Sequence, residues 1–249
     1  MTKLSFKDNF LNDPCFIVNI DRCKDRYTFA YNNVKYAGFR NIQRFKGVDA
    51  KVDDLDNAWA TFGSPSFNKN HPNFINLKGH QGCMLSHLYI WDKMIKENIE
   101  RVTVFEDDVR FHSEWHNVVG RFIENTPDDF DILYLGSQMD MHSPYAIIVV
   151  PVYCTHAYVI TLAGAKKLLN LILNTDNGVY TIDCMLIKYM YDHMRDHQNK
   201  NIPKPFTWYV WNATMIPDKG KTDKPSVDKR NCGLVFQDDQ FESEVSKYD

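Results

Sequence analysis

No stretch of the 249-residue chain approaches the run of about 20 apolar residues that a membrane-spanning helix requires. Met1 to Phe10 also lacks the apolar run of a secretory signal, so the expectation is a cytosolic protein with no integral membrane segment. Charge of one sign is missing too. The 29 Lys and Arg stand against 32 Asp and Glu, a formal net charge of -3, which gives no electrostatic reason to expect a nucleic acid partner. The six cysteines, Cys15, Cys23, Cys83, Cys154, Cys184 and Cys232, include no CxxC pair of the kind used by zinc sites and redox centres. They read as buried reduced thiols. No internal repeat is present, and the sequon Asn212-Ala213-Thr214 has meaning only in a secreted protein.

What is there is an alternation of short β-branched runs with helical periodicity. Cys15 to Ile20 reads as a strand, and Asp21 as the cap of a helix from about Arg22 to Ala37 that Gly38 closes. Ile42 to Val48 reads as a second strand ending at Asp49, and the Pro- and Asn-rich stretch from Gly63 to Lys78 as a surface loop. Met84, Leu88, Trp91 and Ile95 then recur at helical spacing within Gly79 to Asn98. The pattern continues with strands at Arg101 to Phe105, Ile132 to Leu135, Ala146 to Val152, Tyr158 to Leu162 and Phe206 to Trp211. Helices are expected at Glu114 to Asn125, Gly164 to Leu173 and Thr181 to Met194. This alternation predicts an α/β class, a mixed sheet flanked by helices in one domain of ordinary size. Residues 15–110 would form a ligand-binding half, 111–217 a second half, and 218–249 a polar C-terminal tail.

Acidic pairs recur at Asp53-Asp54-Leu55-Asp56, Asp128-Asp129-Phe130-Asp131 and Asp238-Asp239, so acidity alone selects nothing. Only Glu106-Asp107-Asp108 directly follows an apolar β run, Val102 to Phe105. In open α/β sheets ligands bind just beyond the carboxyl ends of strands. Three adjacent carboxylates there repel one another unless a positive group neutralises them. Mn²⁺ or Mg²⁺ does so, held by one or two carboxylates and the phosphates of a substrate; the competing reading is a solvated turn with capping acids. The segment Lys78 to His87 brings two glycines to a helix N-terminus, a place that suits anions. It carries neither the GK[ST] of a P-loop nor a GxGxxG fingerprint, so ATP and NAD chemistry lose support. His87 beside the buried stripe reads equally as a hydrogen-bonded structural histidine. The i,i+4 pairs His112/His116 and His193/His197 lack the glutamate of HExxH.

Several blocks taken in order resemble glycosyltransferase family 25, the lipopolysaccharide-type and collagen galactosyltransferases. Val18 to Arg26 is similar to the family's opening block, and Gly47-Val48-Asp49-Ala50 to its "AVDG", with Ala50 for the usual glycine. Gly79 to Trp91 resembles the G, GC, SH, W block; Phe105 to Val109 resembles "LEDD" with Phe for Leu; Ala157 to Leu169 resembles "GY" followed by "GAKKLL". The resemblance runs from roughly Phe16 to Tyr191 and implies a GT-A type, Rossmann-like fold. It implies a UDP-sugar donor, typically UDP-galactose, with Mn²⁺ or Mg²⁺, inversion at the anomeric carbon, and a glycan or glycoprotein acceptor.

On that basis Glu106 and Asp108 are the expected metal ligands and Asp107 a contact to metal or donor. The main chain of Asn19, Ile20 and Asp21 is expected at the uracil, with Asp49 near the nucleoside and Arg26, Gly79 and Ser86 around the donor. Asp183, at the head of a helix where the family carries an acid, is the expected base, with a helix cap as its alternative reading. His156 is a weaker candidate for a third metal contact. Two rivals remain open here: a nucleotidyltransferase or donor hydrolase on a similar fold, and a non-catalytic sugar-binding module suggested by Trp208, Tyr209 and Trp211.

Overall fold

The β-branched runs and the helical stretches alternate along the chain as the patterning predicts. In the computed structural model, which describes residues 5–64, 67–138, 143–175, 178–195, 204–218, 232–238 and 240–241, α1 (Phe6–Asn9) precedes β1 (Pro14–Asn19), α2 (Lys24–Tyr36) and β2 (Asn41–Lys46). After α3 (Leu55–Ala60) and the long α4 (Lys78–Lys96) come β3 (Arg101–Glu106), β4 (Val109–Phe111) and α5 (Trp115–Asn125). Then follow β5 (Ile132–Gln138), β6 (Ile147–Ile148), β7 (Tyr153–Thr161), α6 (Leu162–Leu173), α7 (Ile182–Arg195), β8 (Trp208–Trp211) and β9 (Val235–Gln237). Seven strands form one mixed sheet in the order β2-β1-β3-β7-β5-β8-β6, and β4 pairs with β9 in a small second sheet. Among the described residues no helix is long and apolar enough to cross a membrane.

Period-two alternation sends neighbouring side chains to opposite faces. Phe16, Val102, Val104, Tyr158 and Ile160 join the core beneath α4, α6 and α7. Cys15, Ile17, Phe105, Ala157 and Val159 join the core beneath α1, α2 and α5. β1 lies parallel to both β2 and β3, on either side of it. The chain therefore leaves β1 in one direction for β2 and returns on the other side as β3. That reversal opens a crevice beyond the carboxyl ends of β1 and β3.

Four expectations change. Asp21 does not cap α2, whose start at Cys23 has no side-chain cap; its carboxylate instead takes Arg44 at 2.8 Å and Lys46 at 2.9 Å. Gly38, at φ +102°, does end that helix. The strand expected at Ala146 to Val152 shrinks to Ile147–Ile148, since Pro151 has no N–H for a ladder, and the next strand starts early, at Tyr153. Trp208 and Trp211 are wholly buried on opposite faces of the sheet, which removes both from any sugar-stacking surface. Their indole N–H groups donate to the Val150 carbonyl and to Thr126 Oγ1.

The fourth change concerns the polar tail. Residues 232–238 return to the sheet: Cys232 N–H donates to the Ser137 carbonyl at 3.0 Å and Leu234 N–H to the Leu135 carbonyl at 2.9 Å. Glycine makes this approach possible. A Cβ on Gly136 would lie 1.9 Å from the Val235 carbonyl oxygen, and one on Gly233 2.1 Å from that of Leu135. Both obstacles are backbone and cannot swing aside. Gly136→Ala is therefore expected to cost about 1–3 kcal/mol, as overpacking does, lowering Tm by roughly 2–4 °C per kcal/mol and speeding proteolysis near residues 232–238. A thermal melt and protease time course matching the wild type would contradict this packing.

Candidate functional site

Three strand ends converge on the crevice: Asn19 from β1, Gly47 and Val48 just beyond β2, and Glu106 to Asp108 at the end of β3. The cleft is open to solvent, with a cavity volume of about 110 Å³. Ile20, Ala50, Gly79, Ser86 and Gln237 complete much of its wall. Gln237 comes from the returning C-terminal segment, which is anchored next to the acids where Asp238 N–H donates to the Asp108 carbonyl at 2.7 Å.

The acids are distinguished by their partners. Asp107 is fully engaged: Oδ1 accepts from Arg26 Nε at 2.7 Å and Oδ2 from Asn19 Nδ2 at 2.6 Å. Arg26 Nη2 also reaches Asp107 Oδ1 at 2.5 Å and Asp108 Oδ2 at 3.1 Å, so one buried guanidinium braces both residues. Asp108 Oδ1 is left buried with no hydrogen-bond partner among the described residues. Burial, and then the negative charge of Glu106, push the Asp108 carboxyl up to about 7. Glu106 Oε1 lies 3.4 Å from Thr155 Oγ1 and 3.6 Å from His87 Nε2. An unpartnered carboxylate oxygen beside a second carboxylate is a hard-oxygen donor set that fits Mn²⁺ or Mg²⁺.

At the opening of α4 glycine permits the close backbone approach expected of it. A Cβ on Gly82 would lie 2.7 Å from the Val48 carbonyl oxygen, so this glycine lets α4 pack against the turn after β2. One turn later Ser86 Oγ accepts from Val48 N–H at 2.8 Å and donates to the Gly82 carbonyl at 2.7 Å. The two residues hold the cleft wall at Gly47 to Ala50. His87 is fixed by the Tyr158 hydroxyl, 2.8 Å from Nδ1, which also accepts from Trp91 Nε1–H at 3.1 Å, and its Nε2 faces Glu106.

With this arrangement in view, sequence comparison decides the family. The profile of glycosyltransferase family 25 (LPS biosynthesis protein) matches residues 12–186. The chain belongs to that family. It is 30% identical over 176 residues to a glycosyltransferase 25 family member of Aedes aegypti, covering 66% of this chain and 29% of that protein. It is 27% identical over 177 residues to procollagen galactosyltransferase 2 of Mus musculus, covering 66% of this chain and 28% of that protein. It is 39% identical over 103 residues to the inactive glycosyltransferase 25 family member 3 of Homo sapiens, covering 37% of this chain and 17% of that protein. The chain thus spans less than a third of each of these relatives' length. Since a family 25 relative bears the name inactive, function has to be argued from the side chains of the site.

Of the residues singled out in the sequence, Asn19, Ile20, Arg26, Gly79, Ser86, Glu106, Asp107 and Asp108 line the cleft together. Asp21 does not; it is exposed and paired with Arg44 and Lys46. Asp49 is buried behind the wall, accepting from Arg22 Nε at 2.8 Å and from Lys51 N–H at 3.0 Å. Asp183 sits in the first turn of α7, where its Oδ1 accepts from Cys184 N–H at 2.8 Å; the helix starts on the Thr181 carbonyl instead. His156 Nε2 lies 3.1 Å from the Val235 carbonyl oxygen, inside the anchor of the C-terminal segment. His112 is buried against the Ile216 carbonyl, and His197 and Asp239 lie outside the described residues. The reading of buried thiols holds fully for Cys15 and Cys232 only; all six are free, and Cys184 is exposed. Sequence reasoning missed Gln237, which no local pattern marks, and the Cys83/His87 pair, whose i,i+4 spacing was the available signal.

A carboxyl whose native value is raised makes folding favourable at low pH and loses that contribution as pH climbs from its unfolded value toward the native one. For Asp108 the window runs from the ordinary carboxylate range to about 7. Asp108→Asn removes the penalty, so it is expected to be more stable than wild type at pH 8, on the order of 2–4 kcal/mol. The gain should shrink toward zero near pH 4. Urea denaturation of both proteins across that range checks it, and an advantage independent of pH would contradict the electrostatic assignment.

Proposed function

We propose that this chain carries the catalytic region of an inverting, metal-dependent glycosyltransferase of GT-A type. It moves a hexose or pentose from a UDP-sugar to a hydroxyl of a glycan or glycoprotein acceptor. The observation that carries this reading is the unpartnered, buried Asp108 Oδ1 beside Glu106 at the carboxyl end of β3. Galactose as the transferred sugar draws support from the name of the mouse relative.

Bound at Glu106 and Asp108, Mn²⁺ or Mg²⁺ would neutralise charge on the leaving diphosphate. The chain's own residues supply the rest. Asn19 and Arg26 keep Asp107 rigid, and Arg26 leaves one oxygen of Asp108 available. Asn19, Ile20 and Val48 line the part of the cleft that this reading gives to the base. Gly79, in the first turn of α4, offers backbone N–H groups to phosphate oxygens.

Removal of the acceptor proton falls to Asp183 in this reading. Asp183 stands in the first turn of α7, where a helix N-terminus favours an ionised carboxylate. Asp183→Asn is expected to lower kcat by roughly 10²–10⁴-fold, the usual worth of a positioned base, with UDP-sugar affinity unchanged. Transfer at the wild-type rate would remove Asp183 from the mechanism. The activity itself is tested by UDP release from UDP-sugars with Mn²⁺ and a panel of glycans. Release that depends on an acceptor supports the proposal; release without any acceptor marks a donor hydrolase, and none with any pair contradicts transfer.

A further inference from the structure

Next to the carboxylate oxygens lies a second, chemically different group of donors. Cys83 Sγ, a ring nitrogen of His87 and a carboxylate oxygen of Glu106 lie within 4.8 Å of one another. Cys83 and His87 stand one turn apart on α4, so one helix face presents both, while Glu106 comes from the end of β3. All three border the cleft, which gives an ion a route in and an open position on the cleft side.

The spacing suits a tetrahedral ion. With metal–ligand bonds of about 2.0–2.3 Å, ligand atoms of a tetrahedral zinc site stand roughly 3.3–3.7 Å apart, and His87 Nε2 is already 3.6 Å from Glu106 Oε1. The ring is fixed at its far nitrogen. The Tyr158 hydroxyl oxygen has two lone pairs and accepts Trp91 Nε1–H at 3.1 Å. It can accept His87 Nδ1–H, 2.8 Å away, as well, leaving the Nε2 lone pair toward Glu106 and toward Thr155 Oγ1, 3.5 Å away. Metal-bound histidines are oriented in this way by a partner on the far nitrogen. Thiolate, imidazole and one carboxylate select borderline ions such as Zn²⁺ and Co²⁺ over Mn²⁺ and Mg²⁺.

We propose that Cys83, His87 and Glu106 form a Zn²⁺ site distinct from the all-oxygen set at Asp108, sharing only Glu106 with it. On binding, the Cys83 S–H bond breaks, its proton leaves to solvent and the sulfur–zinc bond forms, with no change of oxidation state. The site does not rest on the transfer reading.

Zn²⁺ is spectroscopically silent, so Co²⁺ serves as the probe for the reduced, chelator-treated chain. The expected result is a sulfur-to-cobalt charge-transfer band saturating at one equivalent, displaced by Zn²⁺ and absent in Cys83→Ser. In parallel, wild-type protein is alkylated with iodoacetamide with and without Zn²⁺ and the modified cysteines are mapped by mass spectrometry. Zinc should slow modification of Cys83 by roughly tenfold or more, because the metal occupies the sulfur that the reagent must reach. This second arm needs no variant that might misfold. Absence of the band, a band that persists in folded Cys83→Ser, or equal alkylation of Cys83 with and without zinc overturns the site. Neither arm uses UDP or an acceptor, so failure here leaves the transfer reading untouched, and failure to release UDP leaves this site untouched.

Discussion

The buried contact of the Arg26 guanidinium with two adjacent aspartates is the interaction on which the rest of the site depends. Three consecutive acidic residues at a strand end are unstable together once water is withdrawn. The chain answers with one cation delivered by α2 and one carboxamide from Asn19 on β1. These elements must be in register for the charges to be met, so folding of the sheet and assembly of the site are the same event. The compensation is incomplete at one atom, Asp108 Oδ1. That residual electrostatic cost is the observation behind the proposed cation site.

Much of this organisation was legible in the sequence, because period-two and helical spacing are local properties. The run Val102 to Phe105 announced a buried strand and so gave the acids after it a meaning that the other acidic pairs lacked. Membership of family 25 was legible from ordered motif blocks for the same reason. What was not legible is long-range. Nothing near Asp21 foretells that Arg44 and Lys46 will claim it in place of the helix end. Nothing in the tail foretells that Gly233 will pack against Leu135 and carry Gln237 to the cleft, more than 120 residues along the chain from Asp108. Glycines at 82 and 136 were visible as glycines, yet the carbonyls that require them, those of Val48 and Val235, are contributed by other elements.

The site also separates two kinds of donor within a few ångströms. Asp108 offers only oxygen, whereas Cys83 and His87 offer sulfur and nitrogen, and Glu106 borders the same cleft. On the two proposed assignments, hard and borderline cations would occupy different places in one cleft.

The central claim is that this cleft binds a nucleoside diphosphate through a cation held by Asp108. Calorimetric titration of UDP into the wild-type chain with Mn²⁺, into the same chain with chelator, and into Asp108→Ala with Mn²⁺ tests it most directly. The account predicts binding in the first case and affinity lower by about tenfold or more in the other two, the scale of ordinary coupling between sites. Equal affinity in all three would contradict it.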